Sequence, residues 1–74
     1  MTYELWDTES HNVIGDFDSE NEALAAVLEA VELNGEESVS MFTLLAAYDD
    51  GSVKGIAGGR KLVELARQHH AMST

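Results

Sequence analysis

The chain has no cysteine. That removes disulfides, thiolate catalysis and cysteine-type zinc sites together, and it suits a reducing compartment. No apolar run approaches the roughly 20 residues a membrane span needs. Met1-Thr2-Tyr3-Glu4 lacks the cationic and apolar regions of a signal peptide, so the expected location is the cytoplasm, with no membrane partner. The most informative scarcity is positive charge. Residues 1–53 hold 13 carboxylates and not one Lys or Arg. All four cations (Lys54, Arg60, Lys61, Arg67) fall in the remaining 21 residues, with Glu64 alone against them. The first part therefore carries −13 and the remainder +3, for a net charge of −10. Phosphate neutralisation by cations supplies most non-specific affinity for nucleic acid, so a nucleic-acid partner is not expected. A basic protein partner fits the charge better.

At 74 residues there is room for one core and one domain, assigned to residues 1–71, with a disordered tail at residues 72–74. Thr2–Thr8 and Asn12–Phe17 are rich in β-formers and flank a short polar stretch, which predicts a hairpin. Ser19 and Glu22 then have capping-box spacing, and Asp18, Glu20 and Glu22 suit the positive end of a helix dipole. Leu24, Val27, Leu28 and Val31 follow the i, i+3, i+4, i+7 pattern, closed by Asn34-Gly35. The nearly unbroken apolar run Val39–Tyr48 predicts a buried strand, and Asp49-Asp50-Gly51-Ser52 a tight turn into a partner strand, Val53–Ala57. Leu62, Val63, Leu65 and Ala66 mark a second helix that frays at His69 and His70. The order is β-β-α-β-β-α, read as an α+β fold: a four-stranded antiparallel sheet with two helices on one face. It could be two copies of one ββα unit.

Gly58-Gly59-Arg60-Lys61, within "KGIAGGRK", is a candidate anion site, because free N–H groups at a helix start beside two cations attract anions. The glycine spacing fits neither a Walker nor a dinucleotide loop, and Leu62 follows Lys61 where a phosphate loop needs a hydroxyl. A strand-to-helix turn accounts for the same residues. His11, His69 and His70, with Asp49 or Asp50, are the candidate metal ligands. Adjacent histidines on a helix point about 100° apart, however, so no metal and no cofactor is expected. No nucleophile elbow occurs, and the carboxylates of "DFDSENE" and "NGEE" read as helix caps and loops, so no catalytic residue is assigned.

In the strands, alternate residues point to opposite sides. Met41, Leu45 and Ala47 then oppose Phe42, Leu44 and Tyr48; Tyr3 and Leu5 oppose Trp6; Val13 and Phe17 oppose Ile14. Both sets are apolar, whereas a sheet with one wet face alternates apolar with polar. Trp6, Met41, Leu45 and Ala47 are therefore the candidate dimer or partner face, and the expected partner is a second copy of the chain. The expected function is a small, acidic, non-catalytic interaction module. The alternatives are an anion or small-ligand site at Gly58–Lys61 and an antitoxin-like regulator.

Trp6-Asp7, then Gly15-x-Phe17-x-Ser19-Glu20-x-Glu22-Ala23-Leu24, resembles short uncharacterised bacterial proteins that pair a Trp-Asp strand with a G-x-F-x-(S/T)-E-x-E-A-L helix entry. The resemblance spans about the first half of the chain and implies no activity. The same helix entry after a hairpin is loosely similar to HicB-type antitoxins, which implies a small acidic module binding a basic protein.

Thirteen carboxylates without a nearby cation repel one another, and salt screens that repulsion over about 10 Å at 0.1 M. We expect the melting temperature to rise between low salt and about 0.5 M NaCl, where screening is severalfold stronger. A calorimetric scan showing it unchanged or lowered contradicts this.

Overall fold

A computed structural model describes the backbone of residues 1–73 and the side chains of residues 1–69. Strands β1 (Thr2–Asp7), β2 (Asn12–Phe17), β3 (Phe42–Ala47) and β4 (Val53–Gly58) form one antiparallel sheet in the order β2-β1-β3-β4. Helix α1 (Glu20–Asn34) follows β2, and α2 (Arg60–Ser73) follows β4. This is the expected β-β-α-β-β-α order. The topology is also symmetric: each ββα half gives one central strand, one edge strand and one helix.

Local chemistry sets the helix ends. The Glu22 N–H donates to the Ser19 hydroxyl at 3.2 Å, the side-chain cap that the spacing predicts. Gly35 adopts φ 88°, a left-handed-region value that glycine takes without penalty, and its N–H donates to the Val31 carbonyl at 2.7 Å. At the β3–β4 hairpin, the Gly51 N–H donates to the Tyr48 carbonyl and the Tyr48 N–H to the Ser52 carbonyl. Asp50 accepts from both the hydroxyl and the N–H of Ser52, and these bonds hold its carboxyl below the ordinary carboxylate value. Asp49 is lowered likewise by a bond from the Met1 ammonium and by that group's charge. Both contacts favour the fold at and above the ordinary carboxylate range, and that stabilisation is lost as pH falls below it through the lowered folded-state values.

The core lies between the sheet and the two helices. Leu5 and Leu44 of the central strands meet Ala23, Leu24 and Val27 of α1 and Leu62 and Ala66 of α2. Since one cluster contains residues of both helices, both cover the same face. A second cluster joins Val31, Val39 and Val63, with Phe42 packed against it.

Two expectations need correction. Val39 is not in a strand. It ends a 3₁₀ turn (Glu36–Val39) and is fully buried, and β3 begins at Phe42. The hydroxyls of Ser38 and Ser40 donate to the carbonyls of Gly35 and Glu37, local bonds that displace a ladder. Val39 thereby plugs the end of the helix pair. Next, Val13 and Phe17 do not share a face. Leu5 pairs with Gly15 and Trp6 with Val13, so Ile14 is the extra residue of a bulge. Val13 joins Trp6 on one face, and Phe17 joins Tyr3 on the other. Edge strand β4 has its own bulge, where Leu44 pairs with Ala57 and Leu45 with Gly55, leaving Ile56 between them. The backbone of α2 is helical through Ser73, past His69 and His70 where fraying was expected. Of the expected disordered tail at residues 72–74, Thr74 lies outside the described residues.

Leu44 is fully buried on a central strand, so Leu44→Ala should cost roughly 2–5 kcal/mol through lost transfer energy and a cavity. Urea unfolding measures it; a loss below about 1 kcal/mol would place Leu44 outside a well-packed core.

Candidate functional site

The helices leave one sheet face bare. By register, β1 contributes Thr2, Glu4 and Trp6 to it, and β3 contributes Ala47, Leu45 and Thr43 as their direct partners. From the edges come Val13, beside Trp6, and Val53, beside Ala47. Trp6, Leu45 and Ala47 are half-buried by their neighbours in the sheet, while Val13 is 48% and Val53 59% exposed. The Trp6 indole N–H donates to Glu4 Oε1 at 3.0 Å, which ties the ring to its own strand. Gly55, opposite Leu45, offers no side chain to cover that leucine. Met41 is also exposed, and its carbonyl accepts from the N–H and hydroxyl of Thr8 at the end of the β1–β3 ladder. The structure thus brings together Trp6, Leu45 and Ala47, with Met41 just before the strand. It adds Val13, which alternation alone did not assign to this face because the bulge at Ile14 intervenes, and Val53, the ladder partner of Ala47.

The Gly58–Lys61 corner has a different character. Gly59 has φ 57°, and its N–H donates to the Phe42 carbonyl at 2.9 Å. Its own carbonyl accepts from Leu62 and Val63, opening α2. A Cβ at Gly59 would lie 3.2 Å from the Ser40 carbonyl oxygen, and one at Gly58 3.2 Å from Thr43 Oγ1. Both glycines are thus accounted for by the turn. Arg60 lines a depression of about 300 Å³ with Glu36, Glu37, Ser40 and Val63. Arg67 reaches Glu36 at 3.3 Å, an exposed pair of small energetic weight. Carboxylates of the 3₁₀ turn therefore offset the cations that would draw an anion here.

The histidines do not converge. His11 sits in the β1–β2 loop at φ 59°, His69 on α2 contacts the Asn21 side chain of α1, and the His70 side chain lies outside the described residues. Among the described residues, no three His, Asp or Glu side chains are grouped to hold a metal ion. Nor is any helix among them long and apolar enough to cross a membrane. A second shallow depression, of about 290 Å³, mixes Tyr3, Tyr48 and Ile56 with Lys54 and Glu20. No protein family, no curated protein and no solved structure matches this chain.

Because Gly59 alone of the two corner glycines has a positive φ, Gly59→Val should destabilise by roughly 1 kcal/mol or more, while Arg60→Ala with Lys61→Ala should leave stability nearly unchanged. Thermal melts of the two variants test this. A saturable shift of the Gly58–Leu62 amide resonances on titration with inorganic phosphate at micromolar concentration would instead make the corner an anion site.

Proposed function

We propose that the protein is a small, acidic, non-catalytic interaction module that acts as a homodimer through its open sheet face. The observation that carries this reading is the placement of both helices on one side of a sheet whose other side presents Trp6, Leu45, Ala47, Val13 and Val53. Covering that face adds apolar burial at about 25 cal/mol per Å², which a chain of 74 residues has reason to use. Edge-to-edge pairing is the less favourable alternative. Both edge strands carry a bulge, and β4 adds Lys54, two devices that discourage strand addition. Self-complementary two-fold pairing is also the commonest oligomeric arrangement. The acidic remainder of the surface would stay free to attract a basic protein. The lack of cysteine suits the cytosol.

Size sets the strength expected of such a dimer. Four strands about 4.8 Å apart and six residues long, at about 3.4 Å each, outline roughly 19 by 20 Å, or about 390 Å² per copy. Even doubled, that falls below the roughly 1,200–2,000 Å² of a standard interface, so the pairing should be reversible and micromolar or weaker. Light scattering behind size exclusion should give a mass near twice 8.0 kDa at high protein concentration, falling to 8.0 kDa on dilution. Leu45→Lys should hold the mass at the lower value without loss of helical circular dichroism. A wild-type mass of 8.0 kDa up to millimolar concentration, three orders of magnitude above a micromolar Kd, would overturn the reading.

A further inference from the structure

We propose that a pair of carboxylates on the open face, Glu4 and Asp16, holds self-association in check, so that pairing strengthens when their charge is screened or removed. The proposal rests on the homodimer reading of that face. Glu4 of β1 and Asp16 of β2 are direct cross-strand partners, on the same side of the sheet as Trp6 and Leu45. Like charges directly opposite across an antiparallel ladder are unfavourable. Here they stand beside the largest apolar side chain of the face. Glu4 is held there, because its Oε1 accepts the Trp6 indole N–H.

Among the described residues, no salt bridge reaches them from the rest of the face. Strands β3 and β4 give it Thr43, Leu45, Ala47, Val53 and Gly55, none of them ionisable. Lys54 is the ladder partner of buried Ala46 and so belongs to the helix side of the sheet, and Arg60, Lys61 and Arg67 lie on α2. Two copies meeting here would desolvate four carboxylates with no cation to pair them, on top of the repulsion between two molecules of net charge −10. Burying an unpaired charge is among the costliest steps in association. The apolar residues favour contact and the carboxylate pair opposes it, which makes ionic strength the control.

Position must be separated from net charge, and two double variants do so. Glu4→Gln with Asp16→Asn removes two charges from the face, and the glutamine oxygen can still accept the Trp6 N–H. Glu29→Gln with Glu32→Gln removes two charges from the exposed surface of α1. Sedimentation equilibrium at 0.15 M NaCl should show the face variant lowering the dimer Kd by about tenfold or more, and the helix variant by about threefold or less, since exposed charges farther away than a Debye length of about 8 Å are largely screened. Equal effects from both variants would overturn the proposal in favour of net charge alone. A wild-type dimer unaffected by the face variant would overturn it and leave the homodimer standing. If every variant stays monomeric at the highest concentration, the homodimer reading falls, and this proposal with it.

Discussion

Everything in this fold depends on one packing contact: Leu5 and Leu44, side by side on the central strands, pressed under Leu24 and Val27 of α1 and Leu62 and Ala66 of α2. That contact aligns the two helices over a single face, and it fixes the register of β1 on β3. Once the register is set, the opposite face follows with no further freedom, because successive side chains alternate. Trp6, Leu45 and Ala47 are turned to the outer face, half-buried, by the same geometry that buries Leu5, Leu44 and Ala46. The candidate interface is the other side of the core.

Charge is arranged around this frame in a way that apolar burial alone would not produce. Acidic residues are useful at the start of α1, where Glu20 and Glu22 meet the helix dipole. They are unfavourable at its end, where the last turn has no cation and Glu36 and Glu37 follow directly. Arg67 answers Glu36 from α2, and Arg60 sits close by. The late basic segment thus folds back toward the acidic end of α1, but it does not reach the open face. There, among the described residues, the Glu4 and Asp16 pair makes no salt bridge. On the proposed homodimer reading, the apolar residues of this face favour contact and its carboxylates resist it.

The elements were largely legible from local chemistry. The Ser19 cap, the Leu24-Val27-Val31 stripe, the Gly35 stop and the Asp-Gly turn each have a mechanism that acts within a few residues, and each stands where it was expected. What was not legible depends on contacts far apart in the chain. Val39 has the β-branched character of a strand residue, yet its place is decided by a gap between Val31 and Val63. The bulges at Ile14 and Ile56 are visible only once the edge strands lie beside their partners, and the one at Ile14 decides which face Val13 takes. The glycine next to each isoleucine, Gly15 and Gly55, was the available signal, since an isolated glycine in a strand often marks a bulge. The face of Trp6, Leu45 and Ala47 needed nothing beyond alternation along strands without bulges.

Trp6 is the sole tryptophan and sits on the face in question, which makes its fluorescence the most direct measurement of the central claim. Emission and iodide quenching should be followed across a concentration series from nanomolar to hundreds of micromolar. If a second copy covers this face, the emission maximum moves to shorter wavelength and quenching falls as concentration rises, both along one dimerisation curve. An emission maximum and a quenching constant that stay unchanged over the whole series would mean that the face remains in water, and the account would be wrong.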